Sequence, residues 1–252
     1  MKLEAWECEV SLFQLSDGAD IDSLRAEFER RGFVEMAPFL NADSAAVLER
    51  HLGVRSDWLE VFNSGAKDYE ISASEFKVLS DAQKEKLERL IGEAAGTGFQ
   101  YRYRSLRVPD HANDRKGDHS VLNDFARFMS SAQVQTFFHQ LGLPQTVDFA
   151  DMHATAYDPG HFLTAHDDDV EGKNRHAAYV LSLSRDWRIE HGGLLAFHSS
   201  DEQAAEMYVP RFNALRLFKV PRLHSVSQVS TFAPGPRLSI TGWLRATGGQ
   251  FF

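Results

Sequence analysis

The second half of the chain is a succession of short β-like runs separated by turn residues, and this pattern constrains the fold more than any other feature. Residues 99–108 alternate aromatic or aliphatic side chains with polar ones, as a half-buried strand does. Turn sequences such as Asp-Pro-Gly at 158–160 and Pro-Gly-Pro at 234–236 separate the later runs. These later runs cover residues 147–157, 177–183, 194–197, 214–220, 224–229 and 237–244. Many short strands at regular spacing predict a β-barrel or β-sandwich.

Helical patterns precede most of these strands. Apolar residues spaced three and four positions apart predict helices, with Asn, Asp or Ser at several of their starts. The predicted helices cover residues 20–31, 41–52, 80–95 and 122–141. Because helices come first and strands later, the sequence predicts an α+β fold with N-terminal helices packed on a β core. We expect a single domain over residues 1–252, with a mainly helical support region at 1–97 and the core at 98–246.

The composition is that of an ordinary soluble globular protein, with 43% hydrophobic and 25% charged residues. Lys and Arg total 27 against 36 Asp and Glu, a net charge of −9. The chain therefore lacks the basic field of nucleic-acid binders, and no nucleic-acid partner is expected. Cys8 is the single cysteine, which excludes an internal disulfide and a Cys-rich metal site. The charged N-terminal residues predict no secretory signal, and no apolar run is long enough to span a membrane, so we expect a cytoplasmic location.

The segment 164–169, Thr-Ala-His-Asp-Asp-Asp, is the strongest local candidate for chemistry. On an extended chain His166 and Asp168 point to the same side. With a second histidine from a distant strand, they would form a set of two imidazoles and one carboxylate, which suits Fe(II) and leaves coordination positions open. A His-x-Asp pair also occurs by chance, and consecutive aspartates are often a solvated turn.

Two features further along the chain complete this pattern. Among the four later histidines, His224 is the best placed, because it begins an alternating run after Pro221. In the run that ends at Trp243, Arg237 and Ser239 share one strand face. A buried arginine there requires an anionic partner, and a small dicarboxylate would supply one, because guanidinium binds carboxylate in a two-pronged fork. The alternative is an arginine paired with a surface acid.

Taken in order, these residues resemble the 2-oxoglutarate- and Fe(II)-dependent dioxygenases, and within them the prolyl-4-hydroxylase-like branch that includes the ribosomal prolyl hydroxylases. The motifs that carry the resemblance are His166-x-Asp168, His224 and Arg237-x-Ser239. Supporting segments lie at residues 157–166, 178–183, 186–197 and 237–243. The ordered resemblance runs from about residue 99 to residue 243, more than half of the chain.

The resemblance implies a double-stranded β-helix, a jelly-roll of cupin-like type. It also implies that His166, Asp168 and His224 bind Fe(2+) and act in catalysis. The co-substrate 2-oxoglutarate would chelate the iron through its 1-carboxylate and 2-keto oxygens, and its far carboxylate would pair with Arg237. The remaining iron position would take O2.

Three further residues are candidate co-substrate contacts. Tyr179 is a candidate donor to the far carboxylate of 2-oxoglutarate, with a core aromatic as the alternative. Tyr157 matches a family position near the co-substrate, and Ser239 would assist Arg237 or cap a strand. The polar loop at 110–118 is a candidate lid or a solvated connection.

The implied activity is hydroxylation of an unactivated C–H bond, with release of succinate and CO2 and with ascorbate as a further candidate cofactor. A prolyl residue in a protein or peptide is the first candidate prime substrate, although fold analogy does not choose between protein, peptide and small molecule. Two alternatives stay open: a cupin-like metal enzyme that does not use 2-oxoglutarate, and a catalytically degenerate β-helix module that binds a peptide or protein. The sequence indicates no oligomeric state.

Overall fold

One curled antiparallel sheet of thirteen strands dominates the structure, a computed structural model that describes residues 11–115, 120–201 and 203–251. The strands are β1 (Phe33–Met36), β2 (Leu59–Ser64), β3 (Lys67–Ser72), β4 (Tyr101–Arg107), β5 (Phe149–Ala150), β6 (His153–Tyr157), β7 (Phe162–His166), β8 (Arg175–Ser182), β9 (Leu195–His198), β10 (Ala205–Tyr208), β11 (Ala214–Lys219), β12 (His224–Val226) and β13 (Arg237–Arg245). The helices are α1 (Ile21–Arg31), α2 (Ala42–Val54), α3 (Ala73–Lys77), α4 (Asp81–Ala95), α5 (Val121–Met129) and α6 (Ala132–Gln140). The predictions for Cys8 and the N-terminal residues, and part of the loop 110–118, lie outside the described residues.

The sheet folds over itself to make two facing layers. Its strand order is β1-β11-β8-β13-β6-β4-β7-β12-β9-β10, with β2, β3 and β5 attached beside this path. Strand β4 pairs with both β6 and β7, and so joins the two layers. Between the layers, Ala178 and Val180 of β8 and Phe218 of β11 pack against Leu195 and Phe197 of β9. The interior between the layers is the space in which a site can form.

The helices cover the outer face of the larger layer. Along β8, Tyr179 and Leu181 belong to the core shared with the helices, whereas Ala178 and Val180 face the interior. The helical side chains of this core include Phe28, Leu48, Leu52, Phe125 and Phe138. Because β8 is covered on both faces, its sequence is almost continuously apolar. Among the described residues, we find no helix with the length and apolar character that crossing a bilayer requires.

Three of the four predicted helices are present with closely similar bounds, as α1, α2 and α4. The prediction of one helix over residues 122–141 is wrong, because two helices, α5 and α6, cover it. Ser130 ends α5, and the side chain of Ser131 accepts a hydrogen bond from the amide of Val134 at the start of α6. Serine favours such caps over helix interiors, because its hydroxyl competes for backbone hydrogen bonds.

The region 1–97 is less helical than predicted, because it also contributes three strands to the sheet. Strand β1 pairs with β11, and β2 pairs with β3 and with β4. The β2–β3 turn contains Gly65 with φ +60°, a conformation that glycine adopts readily. The shared sheet supports the single-domain prediction, which stays a prediction.

Candidate active site

Two histidines and an aspartate meet where β7 and β12 run side by side. His166 ends β7, His224 begins β12, and the two residues are partners in the ladder. Their ring centroids are 4.1 Å apart. The carboxylate of Asp168, two residues after β7, lies 3.4 Å from Nε2 of each ring. Ligand atoms of the three side chains lie within 4.8 Å of one another, so a single metal ion can contact all three.

Backbone carbonyls orient both imidazoles. Nδ1 of His166 lies 3.1 Å from the carbonyl oxygen of Thr164, and Nδ1 of His224 lies 2.7 Å from that of Arg222. Because a carbonyl oxygen only accepts, Nδ1 of each ring carries the hydrogen. The lone pair of each Nε2, the nitrogen that faces Asp168, is then available to a metal.

The charges of these three residues suit a divalent cation. Burial lowers the pKa of His224 to about 4, so its ring is neutral near pH 7. Burial opposes the ionisation of Asp168, but protonation of a neighbouring imidazole, His166 or His224, favours it, and the pKa of Asp168 stays below its ordinary value. The site therefore offers two imidazole nitrogen donors and one anionic oxygen donor, a set that fits Fe(II).

Asp168 reaches this position through a reversal of the chain. The two-residue spacing predicts that His166 and Asp168 share one side of an extended strand, and that geometry is wrong. Strand β7 ends at His166, and Asp168 has φ +65°, in the left-handed region that residues other than glycine rarely adopt. Nη1 of Arg175 donates to the carbonyl oxygen of Asp168 at 3.0 Å and holds this conformation.

A buried arginine lies deeper in the same cavity. Arg237 is 1% exposed, and its Nη1 donates to Oγ of Ser239 at 3.1 Å. Oγ of Ser239 lies 2.8 Å from Oγ1 of Thr155. Within the described part of the chain, Nε and Nη2 of Arg237 have no hydrogen-bond partner. Burial lowers the pKa of Arg237 to about 10, which still leaves it charged near pH 7, and such a charge requires an anion with several oxygens, such as a carboxylate.

Tyr157 and Gly193 shape the space around Arg237. The ring centroid of Tyr157 lies 5.2 Å from the guanidinium carbon, so this tyrosine lies in the predicted part of the site. On Gly193, which has φ +62°, an added Cβ would lie 2.8 Å from Cδ of Arg237. The arginine can therefore occupy its place only because residue 193 has no side chain.

Tyr179 also lines this cavity, but its hydroxyl has a partner within the protein. This residue lies on the helix-covered face of β8, and its hydroxyl donates to the carbonyl oxygen of Asp151 at 2.8 Å. The single O–H of Tyr179 is therefore already used within the core, on the face opposite to that of Val180. This hydrogen bond favours the core-aromatic alternative, and a contact of Tyr179 with the co-substrate stays a prediction.

Sequence reasoning missed an aromatic wall in a cavity of about 450 Å³ that also contains the three candidate ligands and Arg237. Tyr103 stacks on Tyr157 with centroids 5.1 Å apart, and His153 stacks on Trp243 at 6.0 Å. Burial lowers the pKa of His153 to about 4, so this histidine is neutral. The two-residue periodicity of β4, β6 and β13 could have predicted this aromatic wall. It places Tyr103, His153, Tyr157 and Trp243 on the same face as Arg237.

A second group of potential ligand atoms consists of Glu60, Asp158 and His161. Two arginines already neutralise its carboxylates. Nε of Arg102 lies 3.6 Å from Oε2 of Glu60, and Nη2 of Arg104 donates to Oδ1 of Asp158 at 2.7 Å. We interpret this group as a buried ion-pair cluster, because two adjacent positive charges oppose a divalent cation.

Comparison with known proteins agrees with this geometry. Residues 152–245 match the statistical model of the 2OG-Fe(II) oxygenase superfamily. Prolyl 3-hydroxylase sudestada1 of Drosophila melanogaster is 31% identical over 119 residues, which cover 42% of this chain and 22% of that protein. Prolyl 3-hydroxylase OGFOD1 of Mus musculus is 30% identical over 173 residues, which cover 62% of this chain and 30% of that protein. The matched segments thus span less than a third of these relatives.

Solved structures share the fold over most of the chain. A prolyl-4-hydroxylase of Pseudomonas putida matches with a TM-score of 0.59 and 20% identity, over 90% of this chain and all of that one. A prolyl hydroxylase of Trichoplax adhaerens, solved with a fragment of the hypoxia inducible factor oxygen degradation domain, matches with a TM-score of 0.58 and 17% identity, over 90% of this chain and 89% of that one. The two facing layers are the double-stranded β-helix, and that prediction is confirmed.

Proposed function

Because residues 152–245 belong to the 2OG-Fe(II) oxygenase superfamily, we propose that the protein is a 2-oxoglutarate-dependent dioxygenase that hydroxylates a prolyl residue of a protein or peptide. One observation carries the proposal: a buried, incompletely paired Arg237 shares a cavity with His166, Asp168 and His224. The prolyl target is supported by the two curated relatives, both of which are prolyl 3-hydroxylases.

In this proposal Nε2 of His166, Nε2 of His224 and the carboxylate of Asp168 hold Fe(2+). The metal would supply the activation of O2 that couples the oxidation of 2-oxoglutarate to succinate and CO2 with the insertion of one oxygen atom into a C–H bond. Asp168 contributes the negative charge that the two imidazoles lack. The carbonyls of Thr164 and Arg222 keep both rings oriented.

Arg237 would hold the far carboxylate of 2-oxoglutarate. Its unpartnered Nε and Nη2 supply donors for carboxylate oxygens. Oγ of Ser239 and Oγ1 of Thr155 lie beside Arg237 and are fully buried, so their hydroxyls can complete the hydrogen bonding of an anion there. The ring of Tyr157 closes this end of the cavity against water.

The same observation weighs against the alternatives. A cupin-like enzyme that does not use 2-oxoglutarate has no use for a buried cation near its metal, and an uncompensated Arg237 would only destabilise it. A degenerate binding module has no requirement for His166, Asp168 and His224 to converge. We retain ascorbate as the proposed reductant and the cytoplasm as the proposed compartment.

The test measures metal binding, 2-oxoglutarate binding and succinate formation by the purified protein. We expect Fe(II)-dependent conversion of 2-oxoglutarate to succinate, which a prolyl peptide accelerates. His166→Ala should abolish this turnover. Arg237→Ala should weaken 2-oxoglutarate binding by about a hundredfold, because it removes one partner of a buried charge pair, while metal binding persists.

Tyr179→Phe tests the remaining candidate contact, whose hydroxyl already donates to the carbonyl oxygen of Asp151. It should cost about 1 kcal/mol of stability and leave 2-oxoglutarate affinity unchanged. If His166→Ala turns over as fast as the wild type, the metal assignment is wrong. If Arg237→Ala retains full activity, the enzyme does not use 2-oxoglutarate in the proposed way.

A further inference from the structure

The mouth of the cavity differs in character from its interior. Of the described residues that line the cavity, most are buried or half-buried, and a few are exposed and so mark its opening. The exposed lining residues are Asp68, Phe99, Asp167, Asp169 and Val170. They come from the β2–β3 hairpin, from the residue pair before β4 and from the segment that follows β7. These three pieces of chain are therefore the first surfaces that an incoming substrate meets.

An aromatic band leads from this mouth inward. Phe99 is 50% exposed, and its ring lies 5.7 Å from that of Tyr101 and 5.6 Å from that of His166. Tyr101 lies 5.4 Å from Tyr103, which stacks on the buried Tyr157. Large apolar side chains exposed beside a cavity indicate a surface that a ligand covers. Aromatic rings of this kind bind prolyl rings, and their faces attract cations.

The charges at the mouth are of one sign. The three exposed charged residues of the lining, Asp68, Asp167 and Asp169, are all carboxylates. The hydroxyl of Tyr101 donates to Oδ1 of Asp68 at 2.7 Å, which fixes this carboxylate against the aromatic band. Arg175 also lines the cavity, but its guanidinium carbon lies 3.6 Å from the ring centroid of Trp243 and its Nη1 is bonded to a carbonyl oxygen. A cationic group entering the mouth therefore meets three carboxylates beside two rings.

A buried group in the same cavity shows independently that the cavity takes a ligand. Arg237 is 1% exposed and lines this cavity, and its Nε and Nη2 have no hydrogen-bond partner among the described residues. Its charge selects an anion at the deep end, whereas the mouth carries the opposite sign. The cavity thus has two chemically distinct ends, and a single small anion would leave the acidic aromatic end uncovered.

We propose that the prime substrate is a peptide segment in which the hydroxylated residue is flanked by a lysine or arginine. The cationic side chain binds at the mouth between the Asp68 and Asp169 carboxylates and the rings of Phe99 and Tyr101. The flanked residue then extends along the aromatic band toward His166. This inference rests on the proposed function and adds the charge of the substrate to it.

The experiment uses short synthetic peptides that differ only in the residues beside a central proline, which are lysine, alanine or glutamate. Hydroxylation is measured by mass spectrometry, and kcat/KM is determined at low and high salt. We expect the lysine-flanked peptide to be preferred over the alanine-flanked one, the glutamate-flanked one to be the poorest, and the preference to shrink at high salt, which screens exposed charges.

Variants of the mouth residues assign the effect. Asp68→Asn should reduce the preference for lysine by about two- to fivefold, the range of a single exposed ion pair, and Asp68→Lys should shift the preference toward glutamate. Glu70→Gln is the matched control, because Glu70 is exposed on the same strand, pairs with Arg107 and does not line the cavity. Asp169→Asn is the second test variant if an Asp68 variant melts at a lower temperature than the wild type.

The outcomes separate this inference from the proposed function. Hydroxylation of all three peptides at equal kcat/KM would overturn the cationic substrate. A loss of lysine preference in Glu70→Gln as large as that in Asp68→Asn would do the same. Neither result would contradict the dioxygenase activity. Succinate formation without hydroxylation of any peptide would overturn the peptide substrate and this inference together. Absence of Fe(II)-dependent succinate formation would overturn the proposed function itself.

Discussion

At the scale of single residues, Asp168 shows how a ligand position depends on a strained backbone. Its φ of +65° costs about 1–3 kcal/mol for a residue that is not glycine. Nη1 of Arg175 donates to its carbonyl oxygen, and the amide of Asp169 donates to Oδ1 of Asp167 at 3.1 Å. Arg175 itself is held over the ring of Trp243. The carboxylate therefore faces His224 because neighbouring residues stabilise an otherwise unfavourable turn.

Arg175→Ala should consequently weaken metal binding without removing a metal ligand. We expect the Kd for Co(II) to rise about tenfold, because supporting partners of ligands contribute 10- to 100-fold to metal affinity. Arg185→Ala is the matched control, since the Arg185 guanidinium also stacks on a ring, that of Phe212 at 3.5 Å, but is exposed and does not line the cavity. Equal Co(II) affinity in the wild type and Arg175→Ala would contradict the positioning role.

At the scale of elements, β2 and the β6–β7 connection meet at the buried ion-pair cluster. Glu60 is 6% exposed, and burial raises its pKa to about 6, although the charge of Arg102 opposes the shift. His161 packs against it, with Nε2 3.5 Å from Oε1, and burial lowers the pKa of His161 to about 3. The β2–β3 hairpin that borders the mouth is thus anchored through a carboxyl group whose neutral form the fold favours more than the unfolded chain does.

This preference predicts a pH dependence of stability. The stability that neutral Glu60 contributes is fully present below its unfolded pKa of 4.5 and is lost as the pH rises through about 6. Glu60→Gln keeps an uncharged side chain at every pH. Its free energy of unfolding, relative to the wild type, should therefore increase by about 1 kcal/mol between about pH 5 and pH 8.

Urea unfolding at both pH values measures this difference. Glu88→Gln is the control, because Glu88 is the other carboxylate on Arg102, at 2.6 Å from its Nη1, and its side chain is 59% exposed. We expect that variant to show no comparable pH trend. A Glu60→Gln protein that loses stability relative to the wild type toward pH 8 would show that the ion pair with Arg102 outweighs the burial of Glu60.

The elements also show what a sequence can and cannot predict. Alternation in β13 correctly placed Arg237 and Ser239 on one face, because period two is local. It could not assign the faces of β8, since both are apolar, and so it left two roles open for Tyr179. The hairpin β2–β3 was missed because β3 is largely exposed and polar, and its pairing with β2 and the contact with β4 are not visible in local periodicity.

At the scale of the whole molecule, the site exists because one sheet folds over itself. The candidate ligands come from the smaller layer, on β7, after it and on β12, whereas Arg237 comes from β13 in the larger layer. The sequence pattern predicted a barrel or sandwich, and the resemblance implied the double-stranded β-helix. The pairing of His166 with His224 depends on the register of β7 and β12, residues 58 positions apart, which local patterns do not encode.

The helices support the folded sheet by packing on its outer face. Phe28, Phe125 and Phe138 pack on the outer face of the larger layer and are almost fully buried. Removing such a side chain from a well-packed core costs about 3–5 kcal/mol. The helices therefore stabilise the layer that carries Arg237 and leave the mouth of the cavity to the hairpin and the segment after β7.

The most direct measurement is a crystal structure of the protein grown with Fe(II) and 2-oxoglutarate in the absence of O2. We predict one iron bonded to Nε2 of His166, Nε2 of His224 and the carboxylate of Asp168, with the far carboxylate of 2-oxoglutarate on Nε and Nη2 of Arg237. Iron bound to other residues, or 2-oxoglutarate bound without contact to the guanidinium of Arg237, would contradict these assignments.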